Sequence, residues 1–283
     1  MMKTGLVLEG GALRTIYSSG VQDGFLEAGL DFDYVVGVSA GIAYGMSFLS
    51  RQYGRNLEIL TRFANDKRYM GKRNLIDPRN RSYFGLEFSF ERIPAELVPY
   101  DFAALERWPG EAEAAVTDIE AGVPRYFPAA EYDPKFTLMK ATCAMPVLFP
   151  VIEYRGVKCL DGGAADGIPW RRALEKGCDR VVVVLTRERS YLRRPDSLLP
   201  AIKVYYRRYP KFVDVMKRRA EDYNRCREEL FAAERAGDVL LFCPDSTKGF
   251  SRVETDTGKI RALWQQGLDH ARARTDEVLA YLK

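Results

Sequence analysis

The sequence predicts an α/β fold, a mostly parallel central sheet with helices on both faces. Three observations lead there. Short apolar runs alternate with helix-compatible stretches along most of the chain, the pattern of β-α-β units. The run over 180–185 is apolar from Val181 to Leu185 with no polar alternation, as expected of a strand covered on both faces. The apolar run Tyr34-Val35-Val36-Gly37-Val38 passes directly through Ser39-Ala40-Gly41 into a helix-compatible segment, a strand, a sharp turn and a helix in succession.

Taken in order, residues 3–8 read as a buried strand. It is followed by Glu9-Gly10-Gly11 and a helical pattern over 13–28, with Gly29 placed as a C-cap. A second strand covers 33–38, and its helix ends near Leu49. Residues 51–112 carry Arg, Asn, Pro and aromatic residues in a pattern of loops and short helices, an insertion over the core. Strands follow at 113–117 and 125–127, a helix at 135–143, and a strand at 157–160 closed by Asp161-Gly162-Gly163. A helix over 170–176 precedes the strand at 180–185. The basic stretch beyond it reads as helical, 239–243 as a last strand and 260–282 as a final amphipathic helix. No Ser/Gly-rich linker divides the chain, so one domain over 1–283 is expected: a core at about 3–186, a basic helical segment at 187–236 and a C-terminal strand and helix at 238–283.

Composition excludes several functions. With 283 residues, 47% hydrophobic and 29% charged, the chain has the make-up of a globular protein, and none of its apolar runs approaches the roughly 18–20 residues of a membrane span. Glu9 interrupts the N-terminal apolar run, so no signal peptide is read and a cytoplasmic location is expected. Five cysteines without CxxC spacing suggest reduced thiols. The single histidine, His270, leaves no material for a multi-histidine metal site or relay, and neither a metal nor a cofactor is expected.

Gly37-Val38-Ser39-Ala40-Gly41 fits G-x-S-x-G. A serine on a tight strand-to-helix turn is presented outward at a helix N-terminus, where unpaired N–H groups favour developing negative charge; a Gly/Ser turn that merely caps a helix has the same pattern. His270, in a charged stretch, reads as an exposed residue of the last helix, so a catalytic base would have to be something else. Asp161 follows a strand and so lies at the carboxyl edge of the sheet, where sites form in α/β folds; alone it also reads as an ordinary Asp-Gly turn. Oxyanion donors would come from the N–H groups of Gly10, Gly11 and Ala12, with Arg14 holding the turn or adding charge. A dinucleotide loop is disfavoured at this turn, which keeps only the first glycine of G-x-G-x-x-G.

In this order, the glycine-rich turn, G-x-S-x-G at Gly37 to Gly41 and Asp161-Gly162-Gly163 resemble the patatin-like phospholipases. Ala141-Thr142-Cys143-Ala144-Met145-Pro146 with Phe149-Pro150 resembles the family's segment before the aspartate, and Tyr205-Tyr206-Arg207-Arg208-Tyr209-Pro210 resembles a bacterial esterase subgroup. The resemblance implies a three-layer fold, a Ser39–Asp161 dyad without histidine, and a lipid or other acyl ester substrate with an acyl pocket beside Met145, Val147, Leu148 and Phe149. Two positions depart from the family's G-G-G-x-R/K-G turn: Ala12 and Thr15 replace glycines, so a positive φ at either would be strained.

Net charge is +4, but residues 187–227 hold thirteen Lys and Arg against five Asp and Glu. Arg207, Arg208, Arg218 and Arg219, interleaved with tyrosines, suit either a solvated helical face or peripheral contact with an anionic membrane; no base-reading motif accompanies them, so no nucleic acid is expected. The sequence therefore offers two functions, a serine acyl hydrolase or a catalytically weak lipid- or protein-binding relative at a membrane surface. It does not settle the oligomeric state.

Overall fold

The computed structural model describes residues 2–131 and 133–283. In chain order the elements are β1 (Thr4–Leu8), a 3-10 turn (Ala12–Thr15), α1 (Ile16–Glu27), β2 (Tyr34–Val38) and α2 (Ala40–Leu49). The insertion holds α3 (Arg55–Phe63), α4 (Lys72–Ile76), a π-helical stretch (Phe88–Leu97) and α5 (Phe102–Arg107). Then come β3 (Glu111–Asp118), β4 (Val123–Pro128), α6 (Thr137–Thr142), β5 (Ile152–Tyr154), β6 (Val157–Asp161), α7 (Trp170–Glu175) and β7 (Arg180–Val184). The chain closes with α8 (Leu199–Tyr205), α9 (Pro210–Ala236), β8 (Val239–Phe242), α10 (Thr257–Ala273) and α11 (Thr275–Tyr281).

Five strands, β8-β7-β1-β2-β3, lie parallel and in that order. β1 leads to β2 and β3 on one side and is joined by β7 and β8 on the other, so the carboxyl ends of β1 and β7 flank a switch point where α/β sheets form ligand crevices. Burial confirms that both faces are covered. Leu6, Leu8, Val182 and Val184 pack under α1, α2 and α10, whereas Val7, Val181, Val183 and Leu185 pack with Trp170 of α7 and Tyr223 and Leu230 of α9. No helix among the described residues is long and apolar enough to cross a membrane.

The rest of the sheet is antiparallel. One edge of β3 is taken by β4 over residues 113–118; the opposite edge is shared, β2 pairing with residues 111–115 and β6 with 116–118. β2 and β6 thus meet end to end along β3, with Val38 opposite Ala115 and Asp161 opposite Val116. Several sequence readings need correction. β5 pairs with β6 and was missed, because three residues are too few to show alternation. The final helix is two helices separated at Arg274. The first helix opens with a 3-10 turn, and residues 187–198 of the basic stretch are irregular.

Candidate active site

Ser39 follows β2 directly and holds φ 54°, ψ −132°, a conformation that costs a non-glycine residue about 1–3 kcal/mol. The surroundings hold it there. Its N–H donates to Thr142 Oγ1 at 2.8 Å, and the Thr142 hydroxyl donates to the Ala115 carbonyl at 2.6 Å. Gly41, the second residue of α2, lets that helix sit against the end of β1: a Cβ there would meet the Leu8 carbonyl oxygen at 2.4 Å. Gly37, just before the turn, lies against the Ile42 backbone.

Because β3 aligns the ends of β2 and β6, Asp161 arrives beside this turn. The Ser39 hydroxyl donates to Asp161 Oδ2 at 2.8 Å, across 122 residues of sequence. The other carboxylate oxygen accepts from Gly163 N–H at 2.8 Å. Asp161 N–H bonds the Ala144 carbonyl at 2.8 Å, and its own carbonyl accepts from Thr117 Oγ1 at 2.9 Å. Gly162 is needed for contact, since a Cβ on it would lie 2.2 Å from the Ala115 oxygen. Burial pushes the Asp161 carboxyl above the ordinary carboxylate range; the Ser39 hydrogen bond and the Arg219 charge oppose that rise. The result is a desolvated carboxylate, more basic than one in water, bonded to a serine hydroxyl.

The glycine-rich turn closes the site. Gly10, Gly11, Ala12 and Arg14 line the same cavity as Ser39 and Asp161. The turn's first internal bond runs from Arg14 N–H to the Gly11 carbonyl, so the Gly11 and Ala12 N–H groups precede the bonded part of the helix. Of the two departures from the family pattern, only one meets strain. Ala12 has φ 51°, whereas Thr15 lies in the right-handed helical region at −60°.

Two cavities meet at Ser39. An apolar cleft, about 810 Å³ including its open mouth, runs beneath the insertion and is lined by Tyr44, Ile59, Phe84, Phe90, Ile93 and Phe136 among others. Met145 and Phe149 line it as the sequence suggested; Leu148 faces the second cavity instead, and Val147 lines neither. Val147 sits at φ 69°, its N–H donating to the buried Tyr206 hydroxyl at 3.0 Å. The second cavity is polar and rich in arginine.

His270 lines neither cavity. Its Nδ1 pairs with the Tyr17 hydroxyl at 2.9 Å and Nε2 faces Asp245, so it is half-buried between α1 and the loop after β8 rather than free in solvent. Arg219 also departs from expectation. It falls on the inward face of α9 with Phe212, Met216 and Tyr223, donates to the Gly163 carbonyl at 2.7 Å, and is not part of a surface cation patch. Sequence reading missed Thr142, Thr117 and Arg219 as supports of the site; for Thr142 and Arg219, which lie on helices, only their three- and four-residue spacing from apolar neighbours pointed inward. The five cysteines are unpaired. Among the described residues no cluster of His, Cys, Asp and Glu could hold a metal.

A family model described as patatin-like phospholipase matches residues 6–174, and a second, described only as a domain of unknown function, matches 209–283. The uncharacterized protein YjjU of Escherichia coli K12 is 27% identical over 199 residues, covering 64% of this chain and 51% of YjjU. Lysophospholipase NTE1 of Candida glabrata is 25% identical over 205 residues, covering 69% of this chain and 11% of NTE1. The chain therefore spans about half the length of one curated relative and a small part of the other. Among solved structures, VipD from Legionella pneumophila aligns with a TM-score of 0.48 at 13% identity, over 98% of this chain and 67% of VipD.

Proposed function

Because the chain belongs to the patatin-like phospholipase family, we propose that it is a serine acyl hydrolase acting on lipid or other acyl esters. Ser39 attacks the ester carbonyl while Asp161 accepts its proton. The oxyanion that forms is met by the N–H groups of Gly11 and Ala12, with the Arg14 charge behind them, and each such donor is worth about 2.7–4 kcal/mol. Collapse breaks the ester C–O bond and Asp161 returns the proton to the departing alcohol. Water then enters, Asp161 takes a proton from it, hydroxide adds to the acyl carbon, and the acid leaves as Ser39 is reprotonated.

The observation that carries this reading is the 2.8 Å bond from Ser39 Oγ to Asp161 Oδ2 at a strained turn. Next to it, the apolar cleft offers an acyl chain a place beside the attacking oxygen. The exposed residues Leu192, Leu198, Val204 and Tyr205, in the segment bordering the second cavity and next to Arg207 and Arg208, are the surface we assign to peripheral contact with an anionic bilayer. A fluorophosphonate probe followed by peptide mapping tests the nucleophile without assuming a substrate. Modification is expected on Ser39 alone; labelling elsewhere, or none, contradicts the reading.

A further inference from the structure

Glu9 lies between β1 and the glycine-rich turn and is 1% exposed, yet the acyl-transfer steps make no use of it. Burying a carboxyl is costly unless donors replace the lost water. Three donors reach it, none of them a cation. The Thr186 N–H and hydroxyl donate to Glu9 Oε2 at 2.5 and 3.1 Å, and the Tyr223 hydroxyl donates to Oε1. Thr186, just past β7, is also 1% exposed, and Tyr223 stands on the inward face of α9. Burial and Glu9 push the Tyr223 hydroxyl up, so it remains a donor. Its ring is held by the Arg193 guanidinium, 3.9 Å from the ring centre, and by Tyr191 edge-on at 6.2 Å. An apolar side chain would fill the place of Glu9 without the desolvation cost, whereas a fully satisfied polar network fixes the position of each member.

The network bears on the turn through Thr186. A Cβ on Gly11 would meet the Thr186 hydroxyl oxygen at 2.6 Å, so the two residues are in direct contact. The Thr186 hydroxyl also lies 3.4 Å from the Gly10 carbonyl oxygen and shares its one proton between that oxygen and Glu9. In a planar trans peptide the Gly10 carbonyl and the Gly11 N–H point in opposite directions. With the carbonyl turned to Thr186, the Gly11 N–H leaves the turn on the far side. Thr186 lines neither cavity, whereas Gly11 and Ala12 line the one at Ser39. The next peptide is held from within the turn, where the Gly11 carbonyl accepts the Arg14 N–H at 3.2 Å. Only the Gly10–Gly11 peptide depends on residues from elsewhere in the chain. Tyr223 belongs to residues 209–283, matched by a family model of unknown function, and that segment meets the turn again where the Arg252 carbonyl accepts the Leu13 N–H at 3.2 Å.

We infer that Glu9, Thr186 and Tyr223 are positioning residues for hydrolysis at Ser39: α9 holds Glu9, Glu9 holds Thr186, and Thr186 turns the Gly10–Gly11 peptide so that its N–H meets the developing oxyanion. The inference rests on Ser39 being the acyl-accepting residue. It gives the C-terminal segment a part in the chemical step, exerted through the turn rather than on the ester.

The test is steady-state hydrolysis of p-nitrophenyl butyrate by the full chain, with active sites counted by fluorophosphonate titration so that unfolded protein does not lower kcat. Tyr223→Phe, Glu9→Gln and Thr186→Val each remove one link with little change of volume. Each is expected to lower kcat about tenfold while KM changes less than about twofold, because orientation of the donor is felt in the transition state. Deleting an oxyanion donor outright costs about a hundredfold or more. Thr186→Ser keeps the hydroxyl and is expected to return kcat to within about threefold of wild type. The Glu9→Gln, Tyr223→Phe double variant is expected to lose no more than the worse single variant, since both act through one peptide. Wild-type kcat in Tyr223→Phe, equal kcat in Thr186→Val and Thr186→Ser, losses that multiply in the double variant, or a change confined to KM overturns the inference and leaves the hydrolase standing. Should Glu9→Gln fail to fold, Tyr223→Phe and the two Thr186 variants decide. Absence of Ser39-dependent hydrolysis in the wild type removes both readings.

Discussion

At the scale of single residues, the site is built from unfavourable choices that only the folded chain sustains. Ser39 occupies a strained backbone conformation and Asp161 is a buried carboxyl with a raised pKa. In the proposed mechanism the ionised form of Asp161 is the base, so kcat/KM is expected to rise with pH along an acid limb displaced above the ordinary carboxylate range; a limb at the usual aspartate value contradicts this. The same shift has a stability consequence. A carboxyl whose folded pKa is raised contributes its full stability below the unfolded pKa and loses it as pH rises through the folded one. Asp161→Asn should therefore melt above wild type at neutral pH, with the gap closing in acid, while hydrolysis is lost. Ala12 is a simpler case. At φ 51° its side chain is strained by about 1–2 kcal/mol, and the extra freedom of glycine in the unfolded chain offsets part of that. Ala12→Gly should stabilise by about 0.5–1 kcal/mol in urea denaturation.

Secondary elements show which information was local and which was not. The strands over 4–8, 34–38 and 180–184 were legible because their interiors are continuously apolar, and the turn at Ser39 because G-x-S-x-G spans the end of one of them. What brings Asp161 to Ser39 was not legible. It depends on β3 pairing with β2 over its first half and β6 over its second, a register set by chain ends far apart in sequence. Arg219 was misread because a charged residue in a basic run looks solvated until α9 is docked and its apolar spacing assigns it a face. A buried link also joins the helices. Asp23 on α1 accepts from Trp264 Nε1 on α10 at 2.7 Å and from Gly54 N–H at 3.0 Å, and burial pushes it up to about 6. Its ionisation costs stability as pH rises through 6, so Asp23→Asn should gain on wild type by about 1–2 kcal/mol between pH 4 and pH 8, allowing for one lost hydrogen bond. Parallel urea midpoints across that range check the sign.

For the molecule as a whole, the segment matched by the patatin-like phospholipase model does not complete the site by itself. Beyond residue 208 the chain supplies β8, which pairs with β7, the helix α9 that covers Val181, Val183 and Leu185, and two arginines of the second cavity, Arg219 and Arg252. A chain ending at 208 should expose that apolar face and bind a hydrophobic dye with loss of its cooperative unfolding transition; a cooperative, monomeric product contradicts this. The proposed contact with an anionic bilayer rests likewise on the assembled surface. Replacing Arg207, Arg208 and Arg218 by glutamine should weaken binding to anionic vesicles about tenfold or more, at about 1 kcal/mol per cation, and unchanged vesicle binding removes the surface assignment.

The most direct test of the account compares hydrolysis of a p-nitrophenyl ester by wild type, Ser39→Ala, Asp161→Asn and His270→Ala, with folding checked for each. Ser39→Ala and Asp161→Asn are expected to lose activity by about a thousandfold or more, while His270→Ala retains it. Survival of activity in either of the first two variants, or its loss in folded His270→Ala protein, contradicts a site built on the serine and the aspartate.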